Sequence, residues 1–350
     1  MNKILCLPDP LFVTWSENNF LSSLMQIPKY GMEWLMQTHI NLYGSYYWTD
    51  NWTSAYDETR LTFYPYSISS LDCNLYKLCP YLKEYQIPFR GLYFDERNIW
   101  IRHKSEMMDM IKRLIEKGYY IQIDLQQIWR NDYPNIIHPT YIYGIKDDVA
   151  YIVDNFDKGK YEKRIISLEK LEESFTVHMN CFTAFELINL NYNALPFDVN
   201  FIKQQIEDYF TPCFKDYLSY FVCPHEEYNR KHEKGEHYIG RRAFNVLFHA
   251  LDRNNCYIDY RSFCFLQDII TLWLKRHQYL TKNKYIEDNS IVVTKWNQLE
   301  QQAKVIQNRI LLCVKTDKDK RQKRIDKVKS LLTDFISSYE ELLKYYLEIL

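Results

Sequence analysis

The chain has 350 residues, 47% of them hydrophobic, and a formal charge of -1, which allows one large core or two domains and gives no general basic field for nucleic acid. With 31 tyrosines against 8 glycines, it offers many amphipathic packing surfaces and no glycine-rich loop to cradle phosphates. No apolar run approaches a bilayer span, and the nine cysteines form no CxxC pair; a membrane segment and a zinc cluster are therefore not expected, and most thiols should be buried in a reducing compartment.

Residues 1–6 are followed by Pro8, Asp9 and Pro10, which breaks any signal-peptide pattern and points to the cytoplasm. Cys6 is a candidate nucleophile, although the prolines place it in an extended lead-in rather than at a helix start, where a thiolate is stabilised. Residues 14–25 make a better helix start: Thr14 and Glu17 form a T-x-x-E capping box, and Phe20, Leu21, Leu24 and Met25 make an apolar stripe. Ser16 falls in its first turn. Residues 30–43 predict a second helix on Trp34, Leu35, Thr38 and Leu42, with His39 as a core or surface histidine. Residues 45–66 read as aromatic strand and loop, residues 70–85 as a helix interrupted near Pro80, and residues 89–102 as a strand pair. Residues 104–117 are an amphipathic helix stopped by Gly118.

The centre of the chain holds three strand-like runs, residues 119–125, 139–145 and 149–153, with Lys146-Asp147-Asp148 as a turn between the last two. A hairpin on that turn brings Asp154 back near the level of His138, on the same face if the register offset is even. A carboxylate so placed fixes the tautomer of the imidazole and favours the imidazolium, so that the histidine can act as a base. Asp124, at the end of the first strand, is a candidate support for that pair or a loop anchor.

A helix start is expected at Ser167, and residues 177–190 form another apolar run in which His178 and Cys181 share a helix face as core. Pro196 and the asparagines of residues 191–200 mark a linker. Beyond it, residues 201–210, 238–252, 262–279, 291–314 and 321–350 have helical period. Residues 224–235 read as a loop, and the spacing of His225, His232 and His237 does not stack them for a metal. The basic run of the last helix is a solvated face, or a place for an acidic carrier protein to dock.

The run of Ile123-Asp124-Leu125, an aromatic-bearing linker, His138, a strand with Gly144, the Asp-Asp turn and Asp154 resembles the N-terminal domain of the butirosin biosynthesis protein H-like family, over roughly the first half of the chain. The resemblance implies a papain-like cysteine-protease fold turned to acyl transfer, with a nucleophile early in the chain at a helix start. Ser16 lies where relatives carry the cysteine, so Ser16 is the candidate nucleophile, with Cys6 as the alternative, alongside His138 and Asp154. The expected class is α+β: a papain-like domain with an antiparallel sheet over residues 1–190 and a mostly α-helical domain over residues 200–350. The expected activity moves an acyl group from a phosphopantetheine thioester on an acyl or peptidyl carrier protein to a small-molecule amine, with no cofactor of the enzyme's own and no metal. The alternatives are thioester hydrolysis and a non-catalytic scaffold subunit of an assembly line.

Overall fold

The computed structural model describes residues 2–12, 14, 16–52, 64–72, 80–88, 97–131, 137–175, 181–188, 197–211, 234–252, 260–315 and 318–350. In chain order the elements are β1 (Asn2–Ile4), α1 (Ser16–Leu24), α2 (Gly31–Gln37), β2 (Tyr43–Trp52), β3 (Tyr64–Asp72), β4 (Leu82–Pro88), α3 (Arg97–Lys117), β5 (Tyr120–Gln126), β6 (Ile137–Lys146) and β7 (Val149–Asn155). They continue with β8 (Tyr161–Ser167), α4 (Leu168–Glu173), β9 (Cys181–Leu187), α5 (Val199–Phe210), β10 (Lys234–Ile239), α6 (Asn245–Asp252), α7 (Arg261–Lys282), α8 (Ser290–Val314) and α9 (Lys318–Ile349). The chain is α+β and divides into two compact units, one of Met1–Met32 with Cys79–Leu195 and one of Glu33–Leu78 with Pro196–Leu350. The expected linker contains the later crossing point, whereas residues 33–78 belong with the helical half, so the first unit is discontinuous in sequence.

The first unit is built on an antiparallel sheet in the order β4-β9-β5-β6-β7-β8, with β1 paired to the second half of β6. Strand β6 is central, and Thr140 through Ile145 are all buried. A bulge between Ile142 and Gly144 lets β5 pair before it and β1 after it. Gly144 is required there, because a Cβ would lie 2.9 Å from the Cα of Ile4.

One sheet face carries Ile121, Ile123 and Leu125 of β5, Ile142 and Ile145 of β6, and Ala150 and Ile152 of β7. It buries Met107, Met108, Ile111 and Ile115 of α3 and Leu171 of α4. Their near-i, i+4 spacing gives α3 one apolar stripe, and Gly118 ends it at φ +97°. The other face receives α1: Phe20 stacks on Tyr141 with ring centroids 4.0 Å apart and meets Phe185 and Tyr120 at 5.7 and 6.0 Å. The β6–β7 hairpin turns on Asp147 and Asp148, with Asp147 at φ +52°.

The second unit holds a three-stranded antiparallel sheet in the order β10-β2-β3 and the helices α5 to α9. Trp273 of α7 and Trp296 of α8 stack 5.4 Å apart in its core, and their indole N–H groups donate to the hydroxyls of Tyr339 and Tyr346 on α9. Arg276 is fully buried and donates to the carbonyls of Met36 and Thr38, each at 2.6 Å. Those bonds tie the end of α2 to α7 within this unit.

Several expected elements differ. The second helix stops at Gln37 because His39 turns the chain at φ +57°, a conformation that no helix continues. The expected helix over residues 70–85 is strand at both described ends, since β3 runs to Asp72 and pairs with β2 while β4 begins at Leu82 and pairs with β9; residues 73–79 lie outside the described residues. Residues 97–102, expected as strand, open α3. Cys181 begins β9 rather than sharing a helix face with His178, which lies outside the described residues. Tyr238 belongs to β10, which pairs with β2, so the expected helix starts later, at Asn245 after a short 3-10 turn. His225 and His232 lie outside the described residues, as does the side chain of His237.

Candidate functional site

The β6–β7 register sets the site. Tyr141 pairs with Val153 and Ile142 with Ile152, so the next step along the ladder sets Thr140 across from Asp154 on the same face as His138. His138 pairs on its other side with Leu125 of β5. The result is an imidazole whose Nδ1 lies 2.7 Å from Asp154 Oδ2. His138 keeps 28% of its side chain exposed while Asp154 has none.

Both neighbours of that nitrogen are acceptors. Besides the carboxylate, the Pro139 carbonyl lies 3.1 Å from Nδ1. The proton of a neutral His138 therefore resides on Nδ1, and Nε2 presents its lone pair.

A carboxylate out of water needs donors, and Asp154 has them. Its Oδ1 accepts from the Asn155 backbone N–H at 2.6 Å, and its Oδ2 accepts from the Gln127 side-chain amide at 2.5 Å as well as from His138. The same Gln127 nitrogen donates to Thr140 Oγ1 at 2.9 Å. On its other side Gln127 Oε1 accepts from Arg130 Nη1 at 3.1 Å, and the guanidinium reaches on to the carbonyls of Asn155 and Phe156. Tyr161 of β8 adds a phenol whose pKa is driven upward by burial first and by the Asp154 charge second, so it is un-ionised.

Asn155 connects this cluster to α1. Its side-chain amide donates to the Thr14 carbonyl at 2.9 Å, and its Oδ1 accepts from Asn19 at 3.1 Å. Thr14 precedes Ser16 by two residues and Asn19 follows it by three, so the residue next to Asp154 holds both sides of the helix start. Helix α1 begins at Ser16; the Ser16 side chain lies outside the described ones. The interior of α1 is unusually polar, with Asn18, Asn19, Ser22 and Ser23 all buried. First-turn N–H groups without intrahelical acceptors point from this end of the helix.

The other two candidates are placed apart from the pair. Cys6 is exposed, two residues after β1, and the chain there is level with Tyr143, to whose carbonyl the Leu5 N–H donates at 2.8 Å. Five strand positions separate Tyr143 from His138, roughly 16 Å. Asp124 is exposed and opposite Pro139 in the register, on the face of β5 away from Ile123 and Leu125. The supporting side chain that sequence reasoning assigned to Asp124 is supplied at Asp154 by Gln127.

Gln127, Arg130, Thr140 and Asn155 were missed. Only Asn155 carried a signal, an amide directly after the candidate acid at a strand end. No cluster of three or more metal-binding side chains occurs among the described residues, and no helix among them is long and apolar enough to cross a membrane. Comparison of the chain with protein-family models and with curated proteins finds no match.

Proposed function

We propose that the first unit is a papain-like catalytic domain and that the protein is a cytoplasmic acyltransferase of specialised metabolism, working through Ser16, His138 and Asp154. The observation that carries this reading is the 2.7 Å bond from His138 Nδ1 to the fully buried Asp154, next to the residue that anchors the start of α1. In this mechanism His138 Nε2 takes the hydroxyl proton as Ser16 Oγ attacks the thioester carbonyl on the phosphopantetheine arm of a carrier protein. The first-turn amides of α1 hold the oxyanion, and the thiolate leaves and takes the proton from His138. An amine then attacks the acyl-serine, His138 removes its proton, and Ser16 is released as the amide departs. Asp154 orients the imidazole and stabilises the imidazolium. Water in place of the amine makes the same site a thioester hydrolase.

The experiment is intact-mass analysis after incubation with a panel of acyl-thioester mimics, run on the wild type and on Ser16→Ala, Cys6→Ala and His138→Ala. An acyl adduct that is absent from the Ser16 and His138 variants and present in Cys6→Ala is the expected result. Loss only in Cys6→Ala moves the nucleophile to the lead-in. Carrier-protein binding with no adduct on any thioester favours the scaffold reading, which rests on serine standing where relatives carry cysteine.

A further inference from the structure

We propose that Gln127 is a positioning residue that sets the basicity of His138 by competing with it for one oxygen of Asp154. The inference rests on the reading above only in taking His138 as the proton acceptor. The orientation of the Gln127 amide is fixed by its neighbours: a carboxylate and a hydroxyl lie on one side and a guanidinium on the other. Nitrogen must face Asp154 and Thr140, and oxygen must face Arg130. With both amide hydrogens and the carbonyl engaged, and the side chain fully buried, Gln127 has one available conformation.

Its bond to Asp154 falls on Oδ2, the oxygen that also accepts from His138. A neutral donor on that oxygen stabilises the carboxylate most when the imidazole opposite is neutral, since an imidazolium would otherwise be the partner that satisfies it. Gln127 therefore favours neutral His138, the form that can accept a proton from a nucleophile. Removing the amide leaves Oδ2 of Asp154 to be satisfied by His138, with the Asn155 N–H still on Oδ1, and the pKa of His138 rises. Arg130 acts one step further out: it holds the Gln127 carbonyl and, through Asn155 and Phe156, the strand end that carries Asp154. Among the described residues, the other charged and titratable groups around the pair include the Tyr161 phenol on β8 and, beyond the strand end, Asp157 bonded to Arg164, which also engages Glu162 and lies over the Phe156 ring. None of them donates to Oδ2 among the described contacts.

The test is NMR titration of His138, assigned by loss of its signal in His138→Gln, in the wild type, Gln127→Met and Arg130→Met, with near-UV circular dichroism as the control on folding. Gln127→Met should raise the His138 pKa by about 0.5 unit or more and Arg130→Met by less, in the same direction. The acid limb of adduct formation should move upward with it, so that the rate at pH 6 falls about threefold or more while the rate at high pH holds. An unchanged His138 pKa in folded Gln127→Met overturns the proposal. If that variant does not fold, an unchanged or lowered pKa in Arg130→Met overturns it. A raised pKa in a protein whose wild type forms no adduct leaves the role of Gln127 in place and sinks the acyltransferase reading instead.

Discussion

At the scale of single residues, Asp154 combines full burial with a full set of donors. Its carboxylate accepts from His138, Gln127 and the Asn155 backbone, and such a group is held by its partners rather than by solvent. Truncation therefore orphans three donors at once. Asp154→Ala should destabilise the first unit by about 3–5 kcal/mol, because each buried polar group left without a partner costs ~1–3 kcal/mol and the site closes only in part. A urea unfolding curve followed by circular dichroism checks this, and a loss below ~1 kcal/mol would mean that water replaces the carboxylate freely. Asp154→Asn keeps the shape but offers a neutral side chain that no longer favours the imidazolium. Adduct formation should drop by a factor of about 10²–10⁴ with a much smaller change in stability, since a wrong tautomer costs catalysis more than folding.

At the scale of elements, the site depends on how α1 meets the β6–β7 hairpin. Asn155 makes polar ties to the Thr14 carbonyl and to Asn19, while Phe20 supplies an apolar contact on Tyr141. Asn155→Ala removes the polar ties and leaves the stacking, so α1 stays docked but its start loosens. The expected cost is about 1–2 kcal/mol, with faster amide hydrogen exchange confined to the first turns of α1; exchange that is unchanged there would show that Phe20 alone sets the position. The hairpin was legible in the sequence because alternating β-formers flank an Asp-Asp turn, but its offset was not: the two-residue turn alone would set Asp154 across from Tyr141, and the bulge between Ile142 and Gly144 moves it by one position to the face of His138. Helices α3, α7, α8 and α9 were legible from period and length. The strands β4, β8 and β9 were not, because short apolar runs look alike as helix or strand until a neighbour pairs with them. Gln127 and Arg130 were hidden for the same kind of reason: polar residues after a strand resemble any loop, and only the register of β5 on β6 brings them behind Asp154.

At the scale of the whole molecule, the sheet of the first unit and the helices of the second respond to acid through different groups, and the second carries two histidines buried against their own charge. His39, at the turn after α2, is pushed down to about 3, by burial first and by the Arg276 guanidinium second. His277 of α7 is also lowered by burial, with a smaller opposing pull from Asp288, and its Nδ1 lies 2.7 Å from the Tyr346 hydroxyl. A histidine whose folded pKa lies below the unfolded value of about 6.5 binds more protons when the chain is unfolded. Its contribution to stability is present in full above pH 6.5 and is lost as the pH falls from there toward the folded pKa. For His39 alone that window runs from 6.5 to about 3, at roughly 1.4 kcal/mol per pH unit. Between pH 6.5 and pH 5 the second unit should therefore lose about 2 kcal/mol through His39, and more where His277 titrates with it. His39→Asn tests the assignment, since asparagine tolerates the positive φ of that position and cannot titrate there. Urea midpoints followed by tryptophan fluorescence, which reports on the stacked Trp273 and Trp296 of this unit, should fall with pH in the wild type and fall less steeply in the variant. Equal slopes in the two proteins would place the acid sensitivity elsewhere than His39.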